Sequence, residues 1–346
     1  MNTGTPSPSH HEDNRFDILR LIAAWLVLFS HAFPLGGQPD REPLASTIGI
    51  DTLGGLGVAI FFVLSGYLVT LSLQRSPNLL VFLRRRAVRI YPALAAACLL
   101  CALALGPMLS ELPWLAYFRH ATTWDYLKTM NAFQIRYALP GVFVDTPLPH
   151  AVNGSLWSLP YELKCYLALA LLTLLPLSLR AKVLLAFGLL LGLLLLGPPV
   201  PPANPLERFW GLDYYDVKLG LLFSLGAMYA IWRDHIQPHA WLGVALMIAA
   251  LVLPHGRLQA ALFYCGWGTL ILWLALRGRW LPVVPKRIGD WSYGTYLYGF
   301  PVQQTLALLG LHHYGQASFV LGSTLLTLAL AGLSWHLIER PALRWK

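Results

Sequence analysis

The sequence predicts an all-α, polytopic membrane protein with about ten transmembrane helices and both termini in the cytoplasm. Hydrophobic residues make up 56% of the chain and charged residues only 12%. Apolar runs near 20 residues long, enough to cross a bilayer, recur from end to end. Lysine and arginine are unevenly divided between alternate connections: sixteen lie on the side of the N-terminus against six on the other. By the positive-inside rule that asymmetry sets the orientation. It also accounts for much of the net charge of +9 without nucleic acid, leaving room for an anionic ligand. Residues 1–13, MNTGTPSPSHHED, read as a disordered cytoplasmic tail without the basic segment of a cleavable signal, and 14–346 as one transmembrane domain.

The first span, at about 15–35, carries two ionisable residues, Arg20 and His31. Eleven positions apart, they project from one helix face about 16 Å apart along the axis. Arginine in mid-membrane costs about 3 kcal/mol or more on insertion scales, so this stripe is expected to face the protein interior and mark a site. The second span, about 52–73, places Ser65 and Gly66 after two phenylalanines, where small residues favour close helix packing. The third, about 87–108, is entered through FLRRRAVRIYP. Arg86 and Arg89 share a helix face, as do Arg85 and Arg89. At a helix N-terminus such a cluster suits phosphate; alternatively it is an orientation signal against anionic headgroups. Cys98 and Cys101 in this span form a C-x-x-C without a second ligand pair and read as packing residues. The connection from about 108 to 152 mixes charge with Trp114, Tyr117, Trp124, Tyr126 and Phe133, which suits an interfacial loop.

The fourth span, about 154–177, opens with NGSLWSLPYELKCY. Pro160 is expected to loosen its start. Glu162 and Lys164 lie inside apolar sequence and, two apart, face different directions. An intramembrane glutamate is either functional or the partner of a buried base such as Arg20 or Lys218. Spans follow at about 181–197, 212–232, 239–254 and 258–276. Asp213, Tyr214, Tyr215 and Asp216 stand at the outer start of the sixth, either to contact substrate or to flank the membrane. The ninth, about 287–309, gathers Tyr293, Tyr296, Tyr298, Gln303 and Gln304, which would line a cavity or form an interhelical hydrogen-bond seam. The tenth runs from about 317 to 338. His312 and His313 lack a third ligand, so no metal is expected, and there is no Walker, dinucleotide or H-E-x-x-H motif.

These blocks, in this order, resemble the acyltransferase family 3 of membrane-bound acyltransferases, over about Asn14 to Pro341. The resemblance rests on Arg20 and His31 in RFDILRLIAAWLVLFSHAF, on Phe61, Phe62, Ser65 and Gly66, on Arg86 and Arg89, on NGSLWSLPYEL, on SYGTYLYGFP and on Glu339-Arg340-Pro341. One departure is Gly299, where many members carry histidine; no fused esterase-like domain is expected either. The resemblance implies an O-acyltransferase in the bacterial cytoplasmic (inner) membrane. It would move an acyl group, most often acetyl, from cytoplasmic acetyl-CoA or another acyl-CoA to a hydroxyl of an extracytoplasmic glycan or glycolipid. On that basis Arg86, Arg89, Arg85, Arg20 and Ser65 are expected to hold the donor. His31 is expected to act as base or acyl carrier, with Glu162 orienting it. Asn153, Ser155, Trp157 and Tyr296 are expected to hold the sugar. The competing reading is a secondary transporter of a glycan precursor or organic anion, which is disfavoured by the absence of a repeat between the two halves. A structural subunit without chemistry is a further rival, against which Arg20 and His31 both argue.

Overall fold

A computed structural model describes residues 15–47, 49–76, 78–197, 213–285 and 288–345. The expected tail at 1–13 lies outside them. All regular secondary structure among the described residues is helical, with no strand. Each of the ten apolar segments contains a helix among the described residues. In chain order with two short additions these are α1 Arg15–Leu35, α2 Leu53–Gln74, α3 Leu79–Leu109, α4 Trp114–Arg119, α5 Ala121–Tyr126 and α6 Leu159–Leu172. They continue as α7 Leu179–Leu196, α8 Tyr214–Ile231, α9 Ala240–Val252, α10 Arg257–Arg277, α11 Ser292–Leu308 and α12 Gln316–Trp345. Six of them, α1, α2, α3, α7, α10 and α12, are long and apolar enough to cross a membrane.

Helix starts follow local chemistry. Thr52, Asn78 and Ser178 each accept a hydrogen bond from a backbone N–H three residues on, capping α2, α3 and α7. Asp213 and Asp216 form a reciprocal capping box on α8, which explains that acidic pair locally. The Asn78 cap starts α3 eight residues before the predicted boundary. The arginine cluster therefore lies one to three turns inside a helix whose N–H groups are already bonded, rather than at a free N-terminus. Pro160 does not loosen a helix but starts one. Residues Gly154–Ser158 form a 3-10 turn, and the proline occupies the first turn of α6, where its missing N–H costs nothing.

Burial sorts centre from rim. In α2, 78% of the apolar window is buried within the protein, against 17% in α7. α2 packs on α1 and α8. At the α2–α8 crossing Gly66 and Gly226 let two backbones touch: a Cβ on Gly66 would sit 1.9 Å from the Phe223 carbonyl oxygen, and one on Gly226 would sit 2.1 Å from that of Val63. The small-residue reading of Ser65-Gly66 is thereby given a partner helix.

The long connection after α3 is more than an interfacial loop. Tyr117 and Tyr126 are fully buried, and the Tyr117 hydroxyl donates to the Ala102 carbonyl at 2.8 Å, within a π-helical stretch of α3. Thr123 ties the α4–α5 corner by donating to the Tyr117 carbonyl at 2.6 Å. Trp114 and Trp124 remain exposed, in keeping with interfacial anchors. The aromatic content serves two ends because half of it packs under the loop as a core.

Candidate functional site

Five helices converge on a cavity of about 250 Å³ that gathers residues from several polar blocks of the sequence. Its lining includes Arg20 of α1, Ser65 of α2, Arg86 and Arg89 of α3, Glu162 of α6 and Tyr296 of α11. Phe61 and Phe62 line it too, as does Ser158 of the 3-10 turn. Arg85 lies outside it, bonded to Ser76 Oγ at 3.2 Å, so its expected donor contact is not supported by its position.

The arginines differ in their commitments. Arg89 is paired with Asp290 and, at 3.3 Å, with Glu339, whose side chain is 3% exposed. Arg20 lies 3.8 Å from the same Asp290 and 3.9 Å from Asp17. Asp290 is fixed in turn by the backbone N–H and hydroxyl of Ser292. This network ties α1, α3, α11 and α12 together, and its charges are compensated inside the protein. Arg86 is less engaged: it reaches Ser72 Oγ at 3.5 Å and its Nε is buried without a partner. Both line the cavity, as expected of donor-holding residues, but Arg89 also cross-links remote helices through Asp290 and Glu339, whereas Arg86 keeps a guanidinium nitrogen without a partner. Sequence spacing put both on one face but gave no view of Asp290 or Glu339, which come from remote helices.

A second cavity, about 400 Å³, holds His31. Trp157 and Tyr215 line it, their rings 4.8 Å apart, together with Asp51 and Lys218. Asp51 receives the Lys218 ammonium at 2.5 Å and the Tyr264 hydroxyl at 2.9 Å. Glu42 closes one edge. It accepts from Ser30 Oγ at 3.0 Å and from the N–H groups of Leu44, Ala45 and Leu53, so its charge is consumed in holding the loop. None of Glu42, Asp51 and Lys218 stood out in sequence as a site residue. Lys218 alone carried a signal, a cation inside an apolar run.

Arg20 and His31 thus open into different cavities, and the wall between them is the NGSLWS turn seated on α11. His31 Nδ1 lies 3.5 Å from Ser155 Oγ, and its ring packs edge-on against Phe300 at 5.3 Å. Tyr296, on the arginine side, exchanges a 2.7 Å hydrogen bond with Ser158 Oγ and donates to the Ser155 carbonyl. Gly154 is required here because a Cβ would sit 2.5 Å from the Phe300 ring. Asn153, expected at an open mouth, is instead buried at 1% exposure and donates to the Leu297 carbonyl at 2.8 Å. It pins the turn to α11. Ser155 is also buried, at 2%.

Glu162 does not orient His31. It lines the arginine cavity and accepts from Tyr166, while His31 lines the other. Neither does it neutralise Lys164, which is bound by both oxygens of Asp216 at 2.9 Å. The two-residue spacing sends the side chains to opposite faces of α6. In the ninth segment, Tyr293 and Tyr296 reach the arginine cavity. Gln303 and Gln304 form the seam, donating to the carbonyls of Leu28, Leu148 and Ala151 at 2.7–2.8 Å. Cys98 and Cys101 are buried packing residues.

Comparison with known proteins gives a consistent picture. The family model for the acyltransferase domain of acyltransferase family 3 matches residues 13–336. The chain is 32% identical to an O-acetyl transferase of Shigella phage Sf6 over 339 residues, covering 95% of this chain and 96% of that protein. It is 31% identical to nodulation protein 10 of Rhizobium leguminosarum bv. viciae, covering 98% and 96%. Acyltransferase MdmB of Streptomyces mycarofaciens is 25% identical, over 82% of this chain and 77% of that one. No solved structure matches.

Proposed function

The chain belongs to acyltransferase family 3 and is an O-acyltransferase; from that premise we propose that it passes an acetyl group from cytoplasmic acetyl-CoA to a hydroxyl of an extracytoplasmic glycan. The observation that carries this reading is the pair of cavities, one holding Arg20 and Arg86 and the other His31, with Tyr296 and Ser158 hydrogen-bonded on the first side and Ser155 beside His31 on the second. A donor with a phosphate head and a slim reactive arm fits the first. An acceptor that stacks on aromatic rings and presents a hydroxyl fits the second, where Trp157 and Tyr215 supply the rings.

In this scheme Arg86, with Arg20 beside it, holds the donor phosphates, and Arg89 holds Arg20's shared partner Asp290 in place. Ser65 and Tyr296 flank the arm. The acceptor hydroxyl attacks the thioester carbonyl. The C–O bond forms, the C–S bond breaks, and CoA leaves as its thiolate. His31 accepts the hydroxyl proton, the task for which an imidazole is suited near neutral pH. His31 Nδ1 faces Ser155 Oγ at 3.5 Å, which leaves Nε2 as the ring nitrogen for that proton in this scheme. All ten apolar helices span the bacterial inner membrane in this reading, with the N- and C-termini in the cytoplasm and the arginine cavity facing that side.

The direct test is His31→Ala in purified, reconstituted protein given labelled acetyl-CoA and bacterial surface glycan. Transfer is expected to fall at least about 100-fold, the usual worth of a general base, with acetyl-CoA binding unchanged. Normal transfer by this variant would remove His31 from the chemistry. Transport of glycan without acetylation by the wild type would favour a transporter instead.

A further inference from the structure

The face of α6 turned away from the arginine cavity lines a third space. Tyr161, Lys164, Cys165, Ala168 and Leu172 form one wall of a groove of about 170 Å³, closed by α7 and α8. The facing side chains include Val183, Ala186 and Leu190 of α7 and Phe223 and Ala227 of α8. Charge is confined to one end, where Lys164 meets Asp216 and Tyr161 donates to Asp213 at 2.7 Å. From Cys165 to Leu172 the apolar floor runs about 10 Å along α6.

The polar end abuts the His31 cavity. Tyr161 of the groove packs against Trp157 at 5.9 Å and Tyr215 at 6.1 Å, the two rings that line that cavity. One aromatic wall therefore serves both spaces. The far wall, α7, is the most peripheral of the long helices, and Ala168 in the groove floor is exposed, so the groove opens on the apolar outer surface of the protein. A water-soluble sugar has no use for an apolar trough that starts one ring away from its own pocket. An acceptor with a hydrocarbon tail does, because the tail then fixes the depth and direction of the head.

We propose that this groove holds the hydrocarbon chain of a lipid-linked glycan acceptor, whose sugar occupies the His31 cavity. The proposal rests on reading that cavity as the acceptor site. Because hydrocarbon gains little on moving from lipid to protein, the groove supplies placement and the head supplies selectivity.

The probe is a long-chain alkyl glucoside with a diazirine in its chain, photolysed with the wild-type protein in nanodiscs and mapped by mass spectrometry. Adducts are expected on the segments holding Ala168, Leu172 and Ala186. Unlabelled alkyl glucoside is expected to displace them, whereas a phosphocholine lipid of equal chain length is not. Ala186→Phe and, separately, Ala168→Phe are each expected to cut this labelling at least five-fold while the protein keeps its monodisperse elution and acetyl-CoA binding. Label spread evenly over the exposed faces of α7 and α12, or displaced equally by the phosphocholine lipid, would overturn the proposal. So would wild-type rates of glycan acetylation in both folded phenylalanine variants. If the wild type labels in the groove yet transfers no acetyl group to any glycan, the acyl-transfer reading fails and the chain site stands.

Discussion

Arg86 and Arg89 look equivalent in the sequence and are not equivalent in the protein. Removing Arg89 leaves Asp290 and Glu339 without their main counter-charge in a buried network. Breaking such a pair from one side costs about 3–5 kcal/mol. Arg89→Ala is therefore expected to lower thermal stability in detergent, read as an earlier unfolding transition, with activity lost through the fold. Arg86→Ala removes a cation whose Nε has no partner. It is expected to leave the unfolding transition in place while raising the KM for acetyl-CoA about ten-fold or more, the worth of one charge-assisted hydrogen bond. Equal destabilisation by the two substitutions would contradict this division. Spacing alone fixed which arginines share a face. It was silent on their partners, since Asp290 lies 201 positions from Arg89.

At the scale of elements, the decisive contacts are made where helices touch without side chains between them. Gly66→Ala and Gly226→Ala each push a methyl into a carbonyl of the opposite helix. Overpacking of this kind costs about 1–3 kcal/mol or more. Each is expected to reduce the yield of folded protein, whereas Gly188→Ala on α7, where a Cβ meets nothing within 4 Å, is expected to be silent. A thermal-stability series over the three variants checks this. The sequence marked Gly66 as a close-packing position, but nothing in it named Gly226 as the other half. The NGSLWS block shows the same division. Its polar residues were legible as a special segment, yet Asn153 and Ser155 face inward, onto the Leu297 carbonyl and His31. Polar side chains in a turn between apolar runs satisfy backbone groups as readily as they meet substrate.

For the whole molecule, the two cavities stack along the direction set by α1, with Arg20 near its start and His31 near its end. If the termini and the arginine cavity share the cytoplasmic side, single cysteines at Ser76 and at Tyr314 should report opposite sides. In a cysteine-free background, Tyr314→Cys is expected to react with an impermeant maleimide on intact spheroplasts and Ser76→Cys only after lysis. The reverse pattern would invert the topology and with it the direction of transfer.

The sequence by itself determined the helical membrane class, the position of nearly every helix, the family, and the common face of Arg20 and His31. Those properties are local: hydropathy over some twenty residues, caps within three, and spacing at 3.6 per turn. Only the tertiary structure decided which charges are spent on one another, that Glu162 serves the arginine cavity rather than His31, and that His31 shares its space with Asp51, Lys218 and the rings of Trp157 and Tyr215. Those are pairings between helices distant in the chain, and in a low-dielectric interior each buried charge takes the partner that packing brings to it, which no local pattern records.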